Sequence, residues 1–335
     1  MNMGKKFFIY TFLKYLWFSL LVIIGFWGWG VVYYNTTGSA ELRMTAAVIY
    51  PVIVLFLLIG TFRGNYSAAS HLTVIELLII FHFTLLTPEE VFHDTVWQRS
   101  WKLRAYTEFT NSTATIHHVR DFIYRTEKDF DDRYITMTVD LDKVTHLDVV
   151  LSHWDHLNEV AHTMLTFAFS DGQYLAFSME TRLPENVTQG MIPGLYKQYE
   201  LLSIVGTEED LFKLRTNYRK EELYLYRTNA TKEEARFILK VLLEAINRQH
   251  LHPKFYNSLT HNCTTSLSPL LRWIDPSFTG DIRLLFNGFS DELLYDLGYL
   301  AHRDGESFAE LKKRRKVNDY VNSHPDYSTA IRYDL

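Results

Sequence analysis

The sequence predicts an α+β domain carried behind an N-terminal bundle of three transmembrane helices. Two observations lead there. Before about residue 90 the chain is nearly continuous Phe, Leu, Ile, Val, Trp and Tyr, and after it the composition turns charged and mixed. In that later part several strand-like segments follow one another among a few helical ones, the order of an α+β domain rather than of repeated βαβ units. Over all 335 residues the apolar share is 47%, an ordinary mean that conceals the asymmetry. The length suits a membrane anchor, residues 1–93, plus one domain, residues 94–335.

The first span is the apolar stretch Tyr15 to Tyr34, about one bilayer thickness as a helix. Trp27, Trp29, Tyr33 and Tyr34 gather toward its far end, where amphipathic rings favour the membrane interface. A second span runs from about Met44 to Phe62. A third and weaker one, from about Leu72 to Leu86, carries Glu76 and His82. A cleaved signal peptide is a poor account of the first stretch, which is too long and has two further spans behind it. Lys5, Lys6 and Lys14 precede the first span, and Arg63 lies in the second loop; Arg43 in the first loop sits beside Glu41. Basic residues mark the cytoplasmic side, so the N-terminus is expected there and the soluble domain outside. Glu76 either faces other helices or water, as an intramembrane acid must, or is tilted into the interface.

The formal net charge of −5 gives no concentrated basic face for nucleic acid. The run Lys312-Lys313-Arg314-Arg315-Lys316 is the one basic cluster; it reads as a solvated helix face, with contact to anionic headgroups as the alternative. His153-Trp154-Asp155-His156 has a metal-like spacing but no further ligand cluster, so no metal is expected. No phosphate loop or dinucleotide fingerprint is present.

In the soluble part, Trp97 to Arg104 reads as a polar, aromatic linker. Thr113 to Arg125 and Ile135 to Val139 look like strands, and Asp140 to Trp154 mixes apolar and acidic residues without a period. Met164 to Arg182 is the clearest hairpin; Glu200 to Val205 and Glu222 to Tyr226 are further strands. Thr231 to His250 is an amphipathic helix, capped by Thr231 with Glu234 three residues on. Cys263 opens an apolar stretch to Ile274 that reads as a helix delayed or kinked by Pro269.

Cys263 is the only cysteine, which excludes an internal disulfide. It stands between Asn262 and Thr264-Thr265 at the expected start of a helix, where the helix end favours a thiolate and free N–H groups could hold an oxyanion. The alternative is a small buried apolar residue. A cysteine nucleophile needs a base. His261 is near in sequence but would point elsewhere if the chain turns there. His162 is the better candidate, at the head of the strand running to Phe169. Leu165, Phe167 and Phe169 form one face of that strand, and Leu175, Phe177 and Met179 one face of the next. These sets meet if a three-residue loop, Asp171 to Gln173, joins the strands. His162 then shares the other face with Thr166, Ser178, Glu180 and Arg182, with Glu180 diagonal to it, close enough to fix its tautomer. The competing reading is a surface hairpin with an ordinary salt bridge.

These residues resemble the family of the Lnb N-terminal periplasmic domain, named for the lipoprotein N-acyltransferase of Bacteroides. The resemblance rests on Val119-Arg120-Asp121-Phe122-Ile123-Tyr124-Arg125, Ala161-His162-Thr163 through Ser178-Met179-Glu180-Thr181-Arg182, Leu214-Arg215-Thr216-Asn217, and Phe255-Tyr256-Asn257 through Asn262-Cys263-Thr264-Thr265. It covers roughly Trp97 to Phe289. It implies a permuted papain- or NlpC-like domain with the histidine strand before the cysteine helix, Cys263 as nucleophile and His162 as base; Glu180 as the orienting residue is read from the register. In the Bacteroides enzyme the spans follow the domain, whereas here three precede it, so the resemblance implies the thiol chemistry without fixing the specific lipoprotein activity.

The expectation is therefore a cysteine-dependent acyltransferase or hydrolase in the bacterial inner membrane, its domain on the periplasmic side. It would act without a cofactor on lipid or lipoprotein acyl groups. Arg120, Arg125, Arg182 and Asn262 are candidate substrate contacts, the alternative for the arginines being solvent or salt bridges. A peptidoglycan-directed peptidase or amidase and a non-catalytic envelope scaffold are the competing readings.

Overall fold

The computed structural model describes residues 3–86, 95–154, 158–258, 281–284 and 286–335. Asn262, Cys263 and the helix expected from Cys263 to Ile274 lie outside the described residues, as do Asp155 and His156. The chain divides into two compact units, Met1–Glu90 with Ile192–Gln198, and Val91–Met191 with Tyr199–Leu335.

The first unit holds α1 (Met3–Asn35), α2 (Ala40–Phe62) and α3 (Tyr66–Phe81). Its apolar stretches Phe8–Asn35, Ala40–Phe62 and Tyr66–Thr84 are long and apolar enough to cross a membrane. All three are longer than the expected spans, and in α2 and α3 side-chain caps fix the earlier starts. Ser39 caps α2 through Leu42 N–H, and Asn65 caps α3 through the N–H groups of Ser67 and Ala68. Between them Gly64 takes a left-handed φ of +83° to close the turn. Leu21, Tyr50, Val54 and Leu72 form the inner core, while Phe26 and Phe56 stay about three-quarters exposed, at 76% and 74%. Small residues on α1 permit the close packing: a side chain at Gly28 would land on the Tyr50 hydroxyl, and one at Gly25 would press on Val54. Glu76 is 2% exposed on the inner side of α3, so it faces the other helices and is not tilted into an interface.

The second unit is built on a sheet ordered β1-β2-β9-β8-β7-β6-β10. Its strands are β1 (Tyr106–Thr110), β2 (Thr113–Arg120), β3 (Ile123–Tyr124), β4 (Phe130–Asp131), β5 (Tyr134–Asp140), β6 (Val144–His153), β7 (Ala161–Phe169), β8 (Tyr174–Arg182), β9 (Glu200–Gly206), β10 (Glu222–Arg227) and β11 (Lys254–Phe255). β5 adds to β2 and β11 to β9, and β3 pairs with β4 separately. Pairing is antiparallel except at the β2–β9 junction. The fold is α+β, as the sequence predicts.

Both sheet faces are covered. Val149, Leu151, Leu165, Phe167 and Phe177 point to α4 (Lys232–Leu251), which supplies Ile238, Leu239, Leu242 and Ile246. The capping box of Thr231 and Glu234 is formed as read. Val150, Met164, Ala176 and Ile204 point the other way, to Leu211, Phe212, Val317, Tyr327 and Ile331. That double burial explains why 140–154 shows no period: a strand buried on both faces has no polar side to alternate with.

The β7–β8 hairpin has the expected faces, but its register differs by two residues. Leu165 pairs with Phe177 and Phe167 with Leu175. The loop is Ser170 to Gly172: Phe169 N–H donates to Gln173 C=O, Gly172 N–H donates to Phe169 C=O, both at 3.0 Å, and Gly172 adopts φ +85°. A three-residue hairpin needs its left-handed residue last, and Gly172 supplies it one position earlier than the Asp171 to Gln173 loop allows. His162 therefore lies directly across from Glu180, not diagonal to it.

Two further expectations change. The basic run is mostly paired: Lys312 with Asp291 at 3.0 Å, Arg314 with Glu306 at 2.6 Å, and Lys316 with Glu222. Arg315 is 2% exposed and donates to Leu225 C=O at 2.8 Å, so no continuous basic face is left for headgroups. The stretch Trp97 to Arg104 is packed and not a free linker, with Gln98 N–H donating to Leu183 C=O at 3.0 Å and Arg104 held to Glu200 at 2.6 Å.

Candidate functional site

The site is assembled by three adjacent strands, β6, β7 and β8. Ser152 on β6 pairs with His162 on β7, and the β7–β8 register brings Ser178 and Glu180 to the same face as His162. His162 Nε2 lies 2.6 Å from Ser178 Oγ and 3.1 Å from Glu180 Oε1. Ser178 Oγ donates to Glu180 Oε1 at 2.6 Å. Having used its own proton there, the hydroxyl accepts from the histidine, so the proton of the neutral ring sits on Nε2. Nδ1 is then the basic nitrogen.

Glu180 is fastened from behind. Arg215 Nη2 donates to the same Oε1 at 2.9 Å, and its Nη1 donates to Leu211 C=O at 2.6 Å. Arg215 Nε lies 3.7 Å from Glu221 Oε2, which also accepts from Ser152 Oγ at 2.6 Å. Burial pushes the Glu180 carboxyl upward, but His162, Arg215 and the Ser178 hydroxyl together hold it well below the usual glutamate value. The carboxylate is thus ionised at neutral pH and positioned to orient the imidazole and favour its cation. With side chains 12% and 15% exposed, His162 and Glu180 form a recessed pair.

The lower end of β7 is tied in place next to the histidine. Ala161 N–H donates to Asn287 Oδ1, and Gly288 N–H to Glu159 C=O, both at 3.0 Å. A Cβ at Gly288 would fall on the backbone at Asn158 and Glu159, which no rotamer change relieves. Gly288→Ala is expected to displace the start of β7 and cost about 1–3 kcal/mol, as overpacking does. Thermal unfolding would show a lower midpoint; an unchanged midpoint would mean that the 158–160 backbone yields freely.

The other candidates fall elsewhere. Arg120 is 4% exposed and bound to Asp210, with Nε to Oδ2 at 3.1 Å and Nη2 to the Tyr124 hydroxyl at 2.9 Å. Arg182, also 4% exposed, pairs with Glu200 at 3.2 Å and donates to the carbonyls of Trp101 and Lys102. Burial, with the Arg104 charge beside it, pulls the Arg182 guanidinium down to about 10 against the pull of Glu200. Neither side chain has surface to offer a headgroup, so the substrate contact expected of them is corrected to an internal tie. Arg125 is exposed but grips Asp129 and Asp131 at 2.8 and 2.9 Å. His153 is buried edge-on to Tyr224. Asn262 and Cys263 lie outside the described residues, so the structure gives no distance from His162 to the thiol.

Ser178, Arg215, Ser152 and Glu221 were assigned no role by sequence reasoning. Ser178 could have been found from its shared face with His162. Arg215 stood in a segment carrying the resemblance, but nothing in its spacing points to Glu180, 35 residues away.

The strand order and this histidine–carboxylate pair can be set beside known families. Residues 130–288 match the Lnb N-terminal periplasmic domain. The resemblance seen in the sequence is thereby shown for this segment. His162, Glu180, Arg215 and Cys263 all fall within the Lnb-type segment, and the Val119 to Arg125 stretch precedes it. No curated protein and no solved structure matches the chain. The Lnb-type domain and the three apolar helices before it fit a membrane-anchored envelope protein with a periplasmic domain.

Proposed function

We propose that this protein is a thiol acyltransferase or hydrolase of the bacterial envelope, with Cys263 as nucleophile, His162 as base and Glu180 as the orienting carboxylate. The observation that carries the reading is His162, whose Nε2 is fixed against Ser178 and Glu180 at 2.6 and 3.1 Å. A histidine held this way has a set tautomer and a stabilised cation, the two properties a thiol nucleophile asks of its base. Nδ1 of His162 takes the Cys263 proton, and the thiolate attacks an ester or amide carbonyl. As the tetrahedral adduct collapses, the C–O or C–N bond breaks and His162 returns the proton to the leaving alcohol or amine. A second nucleophile, an amine or water, then gives its proton to His162 and attacks the thioester; the C–S bond breaks and His162 returns the proton to the sulfur, restoring the thiol.

Three spans with a cytoplasmic N-terminus would tether the periplasmic domain to the inner membrane, which contains phospholipid and lipoprotein acyl groups. That placement favours lipid esters as donors. The test is intact mass of the full-length protein with phospholipid vesicles, wild type beside Cys263→Ser and His162→Ala. A hydroxylamine-sensitive acyl adduct on wild type, absent from Cys263→Ser, is expected. No adduct on any form would withdraw the lipid substrate and leave a peptidoglycan amidase or a non-catalytic scaffold.

A further inference from the structure

We propose that residues 192–198 form an interfacial element of the membrane anchor that lies at the depth of its aromatic belt and presents Ile192 to bilayer lipid. The inference rests on the helices crossing the bilayer and is independent of the thiol chemistry. Although this segment lies between β8 and β9 in sequence, it belongs to the helical unit. It makes one tight turn, with Leu195 N–H donating to Ile192 C=O and Tyr196 N–H to Pro193 C=O, both at 3.0 Å.

Tyr196 is the seat. Its ring stacks on Tyr34 at 5.1 Å and on Trp27 at 6.3 Å, and meets Phe83 edge-on at 6.4 Å. Its hydroxyl donates to Trp27 C=O at 3.2 Å, leaving the side chain 5% exposed. The space exists because residue 30 is glycine: a Cβ there would stand on the Tyr196 ring. Polar ties close the rim. Asn35 Nδ2 donates to Tyr196 C=O at 3.0 Å, Gln198 Nε2 to Tyr34 C=O at 3.3 Å, and Lys197 Nζ to Phe83 C=O at 3.1 Å. The Tyr34 carbonyl lies in the last turn of α1, where carbonyls have no partner further along the helix.

The partners of Tyr196 set its depth. Trp27, Tyr34 and Phe83 lie toward the ends of α1 and of the third apolar stretch, where Trp and Tyr favour the headgroup boundary of a bilayer. Lys197 fits the same layer, its amine 5.0 Å from the centre of the Phe83 ring while donating to the Phe83 carbonyl. Ile192, four residues before the seated ring, stays 59% exposed. An isolated exposed isoleucine on a water-facing surface would need no account. This one belongs to the helical unit and is joined by the Ile192–Leu195 turn to the seated ring, so the occupant assigned to it is the acyl–headgroup boundary of the outer leaflet.

The test is fluorescence quenching on the full-length protein in phosphatidylethanolamine–phosphatidylglycerol vesicles. Ile192→Cys in a Cys263→Ser background carries an environment-sensitive label, and Asp304→Cys serves as the soluble control. Lipids bearing a nitroxide high on the acyl chain should quench the label at 192 and not at 304, while aqueous iodide does the reverse. Iodide quenching at 192 without lipid quenching would overturn the proposal. Adding Gly30→Val, which displaces the Tyr196 ring, should abolish lipid quenching at 192. Quenching that survives it would overturn the assignment of Tyr196 as the seat.

Discussion

His162→Ala is expected to slow acyl-adduct formation on Cys263 by about 10²–10⁴-fold, the usual contribution of a positioned general base. The measurement is a time course of adduct mass for the full-length protein in vesicles. A rate unchanged within error would remove His162 from the mechanism, whatever its geometry. Glu180→Gln should cost no more than this, since the base remains, but its amide can offer an N–H where the carboxylate accepted one and so disturb the tautomer. The pH dependence separates the two residues. Glu180 is held below the ordinary glutamate value, so it binds its proton less readily folded than unfolded. The stability it contributes is complete above about pH 4.5 and decays as pH falls below that toward its folded value. Above pH 4.5 the rate profile of wild type should show no titration of Glu180.

The second large effect is expected far from that site. Arg332→Met should lower stability by about 3–5 kcal/mol, because it strands two buried carboxylates at once. Arg332 reaches Glu208 at 2.6 Å and Asp148 at 3.2 Å, and those two acids have side chains 0% and 1% exposed. Thr166 donates to Glu208 at 2.6 Å and Arg227 remains on Asp148, but neither replaces the shared guanidinium. For a domain of this size the loss amounts to roughly 6–20 °C in unfolding midpoint. Salt should not mask it, since buried pairs are poorly screened. A midpoint within a degree or two of wild type would mean that solvent reaches these acids when the arginine leaves.

Which parts of the molecule could be read from the sequence follows from what each pattern constrains. The hairpin faces were legible because a slip of one residue would turn the apolar side to the wrong face, whereas a slip of two keeps the faces and changes every partner. Only the left-handed Gly172 decides between those registers, and its effect is to move Glu180 from diagonal to opposite His162. β6 left no period, since both of its faces are covered. The amphipathic α4 was plain because one side meets solvent and its Thr231–Glu234 box marks the start. Arg120 and Arg182 look the same in sequence as surface arginines; only the fold puts Asp210 and Glu200 against them. Arg215 is the converse case, a residue whose neighbour in space is remote in the chain.

The pairing of Arg332 with Asp148 spans 184 residues. Closing so long a loop is entropically slow to be rewarded, and it cannot begin until the C-terminal segment is present. During translocation β6, next to the β10 edge of the sheet, therefore waits with Asp148 lacking this partner while most of the domain is still being delivered. The tie that seals these acids can form only once residue 332 has arrived, so until then Asp148 and Glu208 stand without their shared guanidinium.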